Sequence, residues 1–226
     1  MVRLDPPVSE PAAFDPSTRP RMRGVLHHYA FYASVVFGTV LVTLAPRPRM
    51  LVALVYVLSL SALLGVSALY HRVTWSVRVR RHVGRLDHSM INVLIAGTFT
   101  PFGVVAVSGP LAVALLAIVW GGALANILLH ILWIDAPKWL SAVSYTLLGW
   151  VGVAAMPDMV AHAGWAPTVL LGLGGVLYSM GAMVYAMRRP DPAPDVFGYH
   201  EVFHALVVVA ATTHYAAVAL TILPSG

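Results

Sequence analysis

The sequence predicts an all-α membrane protein: a seven-transmembrane helix bundle in one domain, with its N-terminus in the cytoplasm and its C-terminus outside. Three observations carry that reading. Of 226 residues, 59% are hydrophobic and only 10% charged, more apolar surface than a soluble domain of this length buries. The apolar residues form runs long enough to cross a bilayer, with proline, glycine and charge between them. The basic residues are shared unevenly between the two sets of loops.

Residues 1–24, MVRLDPPVSEPAAFDPSTRPRMRG, combine proline and charge without an apolar signal core. They read as a disordered cytoplasmic tail with no cleavable signal peptide, and residues 25–226 as the membrane domain. The first span, 27–45, closes at Pro46 and Pro48, and the second, 50–71, ends in SALYH. The third, 88–108, follows an arginine-rich run and stops at Gly109-Pro110. The fourth, 111–133, halts before Asp135–Pro137, and the fifth, 138–156, before Pro157. The sixth, 166–187, is separated by RRPDPAPDVFG from the seventh, 199–222. No connection is long enough for a soluble domain.

A cytoplasmic N-terminus gives that side Arg3, Arg19, Arg21, Arg23, Arg72, Arg78, Arg80, Arg81, Arg85, Lys138, Arg188 and Arg189, leaving the other side Arg47 and Arg49. This bias sets the orientation. The net charge of +5 is thereby a matter of loops and topology, which leaves a nucleic-acid partner without support. There is no cysteine, so disulfides, iron–sulfur clusters and thiolate metal sites are excluded. A transition metal would have to be held by His, Asp or Glu.

Ionisable residues at membrane depth are expensive to bury, and few exist here. His71 closes the second span, Asp87 opens the third, and His200 and His204 open the seventh. The topology puts all four in one cytoplasmic-side layer. His200 and His204 are one helical turn apart and share a face, as do Ser67 and His71. Three imidazoles with an open position are a catalytic zinc set. Asp87 is then placed to orient or deprotonate a water there, and Ser67 to hydrogen-bond that water or a substrate oxygen.

HEVFH, residues 200–204, also matches the His-Glu-x-x-His signature of zinc proteases. That signature needs a third ligand downstream, and no acidic residue follows Glu201. Val207 and Ala210 stand where a metzincin has Gly and His, and His214 lies about 15 Å along the helix from His204. The protease reading fails on these grounds.

The stretches SALYH, RLDHSMINVLIAGTFTPF and GGVLYSMGAMVYAMRRPDPAPDVFGYHEVFHALVVVAATTHY resemble the haemolysin III family of bacteria. That family is grouped with the progestin and adipoQ receptors, adiponectin receptors among them, and more distantly with alkaline ceramidases. The likeness runs from about residue 60 to residue 220. It implies a multi-pass protein of the bacterial cell membrane, with a zinc ion held by His71, His200 and His204. Asp87 and Ser67 would lie beside the metal. It also implies membrane lipids as partners and hydrolysis of a lipid amide as the activity. Relatives enter the first span with a Glu, then an Asn and a Thr-His pair; here RMRGVLHHYAFYAS keeps a histidine at His28 and lacks the acid.

His88 reads as a group facing the site or the head groups, His130 as interfacial, His162 as solvated and His214 as a packing residue. Thr98, Thr100 and Pro101 suggest a bend in the third span, and Gly172, Gly174 and Gly175 close helix packing. The run Arg78–Arg85 is explained by topology, with anionic lipid binding as a second use. Three functions compete: a zinc-dependent hydrolase of a lipid amide or ester, a non-enzymatic receptor, lipid regulator or pore, and a structural metal site with Asp87 as direct ligand. A pore would call for a polar stripe along several spans, whereas the polar residues gather at one end.

Overall fold

The computed structural model describes residues 19–133 and 138–223. Among the described residues there are eight α-helices and no strand beyond one isolated bridge, Ala193–Phe197. The helices are α1 (Val25–Leu44), α2 (Met50–Arg72), α3 (Val77–Val105), α4 (Gly109–Leu132), α5 (Lys138–Trp150), α6 (Met156–Ala163), α7 (Trp165–Met187) and α8 (Tyr199–Ile222). Seven stretches among the described residues are long and apolar enough to cross a membrane; α5 and α6 share the fifth, 142–163. The chain is a multi-pass helical membrane protein.

Two boundaries differ from the sequence expectation. The third span was expected to open at Asp87, but α3 begins at Val77, so Asp87 sits almost three turns inside it. The arginine-rich run is thus helix rather than loop. Its first turn closes with Arg80 N donating to Ser76 O at 2.8 Å, and the Arg80 guanidinium lies 4.9 Å over the Tyr70 ring of α2. The fifth span was expected to end before Pro157. Instead α5 gives way to a 3-10 segment, Val151–Ala155, and Pro157 sits in the first turn of α6. Proline has no N–H to lose there and its fixed φ suits a helix start, so it begins a helix within the span.

The helices pack as neighbours in sequence, α1 on α2, α2 on α3, α3 on α4 and α7 on α8. α8 also touches α1, α2 and α3 and closes the bundle. Outward positions such as Val36, Phe37, Leu128, Val169 and Met183 are apolar and exposed, as a lipid-facing surface requires. Small residues bring the helices close: a Cβ on Gly97 of α3 would collide with Ser59 of α2, and one on Gly174 of α7 with the His214 ring of α8. At the far end Arg49 donates to the carbonyls of Thr221 and Ile222, satisfying the last turn of α8. One of the two arginines counted on that side therefore has a structural task as well.

Of the expected tail, residues 1–18 lie outside the described residues. Residues 19–24 form a turn bound to the α7–α8 connection, with Arg21 N donating to Asp195 O and Met22 N to Val196 O, both at 3.0 Å. Gly24, at φ 75°, closes the strap against His71; a side chain there would run into His71 Cβ.

Candidate metal centre

The start of α1, the end of α2, the third turn of α3 and the start of α8 meet at one end of the bundle. His71 of α2 and His204 of α8 are buried there and His200 of α8 is half-buried. Each offers a ring nitrogen, and the three lie within 4.8 Å of one another. The Nε2 atoms of His71 and His200 face each other at 3.2 Å. Two ligands on a tetrahedral metal with bonds of 2.0–2.1 Å sit roughly 3.3 Å apart, so this pair already has a ligand-edge separation. His204 Nδ1 is buried with no hydrogen-bond partner. Burying a polar nitrogen in that way costs free energy unless something else meets it. Three imidazoles, one of them with an unmet nitrogen, form a donor set that fits a metal ion.

Asp87 Oδ2 is 3.9 Å from His71 Nε2, and Asp87 and Ser67 line the same cavity. All five residues singled out in the sequence thus converge. His88 lines the same cavity and bonds through Nδ1 to Gly84 O at 2.9 Å. The His130 side chain lies outside the described residues. His162 is exposed and bonds to Asp158 O within α6, as expected of a solvated residue. His214 meets Leu171 O through Nε2 at 3.0 Å, a packing role.

Three residues escaped the sequence reading. His27, adjacent to the His28 that was singled out, is the one that enters the site. Its Nδ1 is 2.8 Å from Ser67 Oγ, and its ring stacks on His204 at 3.9 Å between centroids and 8° between planes. His28 faces Tyr29 and Tyr32 on the outer side. The signal was the spacing of His27, Ser34, Gly38 and Leu41, one helical face, polar or small up to Leu41, that α1 buries. The second is Arg23, ion-paired with the buried Glu201. Glu201 also accepts from Gly198 N at 2.9 Å, the one half of a capping box that a glycine N-cap allows, at the start of α8. The glutamate of HEVFH therefore belongs to Arg23 and the helix cap. The third is Arg19, which donates to His71 O at 2.9 Å.

A cavity of about 520 Å³ opens from this cluster into the bundle. Its wall starts at His71, Asp87 and His200 and continues along Ile91, Phe99 and Leu171 to Tyr178 and His214. Thr98, Thr146 and Ser179 give it more interior polarity than a count of apolar residues suggests.

Fold and site together define a class: a seven-span helical membrane protein with a three-histidine, metal-capable cluster at one end of an internal cavity. The chain belongs to the haemolysin-III-related family, whose model matches residues 17–215. It is 34% identical over 142 residues to the hemolysin-3 homolog of Bacillus subtilis (strain 168), covering 63% of this chain and 63% of that protein. It thus spans just under two thirds of that relative's length. With hemolysin-3 of Bacillus cereus it shares 31% identity over 172 residues, 76% of this chain and 75% of the relative. The adiponectin receptor protein of Drosophila melanogaster is 32% identical over 171 residues, 67% of this chain and 38% of the receptor.

Proposed function

We propose that this protein is a zinc-dependent hydrolase of a lipid amide or ester, working at the cytoplasmic side of a bacterial cell membrane. The observation that carries the reading is a single geometry. Three imidazole nitrogens and the Asp87 carboxylate converge where a largely apolar cavity leaves the bundle interior. Zinc suits a set of neutral imidazoles with no thiolate, and His71, His200 and His204 would hold it. When bound, the ion would lower the pKa of water and polarise a carbonyl.

The chain's own residues supply the rest. Asp87, beside His71 but further from it than a hydrogen bond, takes the proton of the attacking water and returns it to the leaving group. Ser67, held by His27 and facing the same cavity as Asp87, offers a hydroxyl to the substrate oxygen. The cavity receives the hydrocarbon part of the substrate and keeps bulk water from it. The bacterial relatives and the arginine bias support the membrane and orientation named here.

A second reading, a structural metal site joining α2, α3 and α8, is favoured by the closeness of Asp87 to His71. The test is zinc per chain by elemental analysis, with hydrolysis of lipid amides and esters, in the wild type and in Asp87→Asn. Zinc retained with turnover reduced by about 10²-fold or more supports the hydrolase. Zinc lost from the variant makes Asp87 a ligand and supports the structural site. A folded wild type without zinc sinks both.

A further inference from the structure

Four arginines lie in the run 78–85, and the structure separates them. Arg78 and Arg81 are exposed, whereas Arg80 is half-buried, lies over Tyr70 and lines the cavity that holds the histidines. Arg23, from the strap before α1, lines the same cavity. Arg19 is the third guanidinium of the group. Its Nη1 donates to His71 O at 2.9 Å. Arg80 and Arg23 put two positive charges on the wall of the cavity. Glu201 is engaged by the Nε of Arg23 and by Gly198 N, and Asp87 stands at the histidines. A divalent metal at the histidines would add charge of the same sign.

We infer that Arg80 and Arg23 form a binding site for the anionic head group, phosphate in the first instance, of a single-chain membrane amphiphile whose hydrocarbon lies in the cavity. Guanidinium forks match phosphate oxygens in pairs, and the Tyr70 ring holds Arg80 in place before the ligand arrives. The levels along α3 agree. Arg80 lies seven residues before Asp87, roughly 10 Å outward along the axis, and Phe99 lies twelve residues beyond it, roughly 18 Å inward. The long arginine side chain shortens the first interval. A head group at Arg80 thus leaves the linkage that follows it near the histidines and the chain among Ile91, Phe99 and Leu171. This names the head-group charge of the lipid in the proposed function and rests on that reading for the chemistry, though not for the binding.

The experiment measures binding to the purified full-length protein in uncharged detergent, with zinc per chain determined on the same samples. The probes are oleoyl lysophosphatidate, oleoyl lysophosphatidylcholine and inorganic phosphate. The expected result is about tenfold tighter binding of lysophosphatidate than of the zwitterionic lipid. Arg80→Gln removes that preference, and Arg78→Gln, the same charge change at an exposed position, keeps it. Arg80→Lys retains the charge without the planar fork and gives the same result at smaller amplitude, which covers a poorly folding glutamine variant. Equal binding of the two lipids by the wild type overturns the inference, as does an equal loss in Arg78→Gln. Inorganic phosphate that displaces lysophosphatidate at equal concentration assigns the site to the free anion and overturns the lipid assignment. Zinc bound without head-group preference leaves the hydrolase standing and removes only this inference, and the converse result does the reverse.

Discussion

Helix α8 carries histidines at two levels, His200 with His204 and then His214, and His200 and His214 line the same cavity, yet the surroundings of the two levels differ in kind. His214 is settled by its own fold: Nε2 meets the Leu171 carbonyl, the ring lies edge-on to Tyr178, and Gly174 leaves the space it fills. His204, two and a half to three turns away, has a buried Nδ1 with no partner and shares its level with two other imidazoles. The difference teaches that burial alone does not mark a working histidine in a membrane bundle. A buried ring nitrogen without a partner, His204 Nδ1, at the level of two converging imidazoles is the more telling sign.

The largest expected effect separates those two levels. If the proposed site binds its ion, His204→Ala and His71→Ala should lose it completely, because either change leaves two imidazoles where three would hold it. His214→Asn keeps the wild-type metal content and lowers stability by about 1–3 kcal/mol, the cost of disturbing one buried hydrogen bond and its packing. Elemental analysis with thermal unfolding in detergent reads both. Equal metal loss at His214 would erase the distinction.

The doublet His27-His28 sharpens the same comparison over one residue. His27→Ala removes the partner of Ser67 and the ring stacked on His204, so metal affinity falls about 10–100-fold, the range for residues that orient ligands. His28→Ala leaves affinity unchanged. Competition with a chelator of known affinity measures each, and equal effects would show that the α1 entry matters only as packing.

The doublet also shows what was legible in the sequence. His71, Asp87, His200 and His204 were readable because helix spacing and loop charge put them at one level without any knowledge of packing. Ser67 followed from its turn-apart pairing with His71. The role of α1 was not readable from the motif, because which of two adjacent histidines enters depends on the face α1 buries against α2. The ends of the third and fifth spans were misplaced for a related reason. Arginine and proline are usually breakers at membrane edges, but here Arg80 is stabilised by an aromatic ring on a neighbouring helix and Pro157 sits at a helix start.

The smallest expected effect concerns the residue that makes HEVFH look like a protease motif. Glu201 is 1% exposed, accepts from Gly198 N, and pairs with Arg23, so its carboxylate is committed to the helix cap and the strap. In Glu201→Gln the amide oxygen still serves the cap, while Arg23 loses its counter-charge in a site that is only partly wet. Stability should fall by about 1–2 kcal/mol, below the cost of orphaning a fully buried charge, because Arg23 keeps some contact with solvent. Metal content should stay at the wild-type level and turnover within about threefold. A general base removed from a metal site costs about 10²-fold or more, so a loss of that size with metal retained would return catalysis to Glu201. It would also mean that the Arg23 pair opens during the reaction, since the carboxylate has to leave the guanidinium before it can reach a water at the histidines.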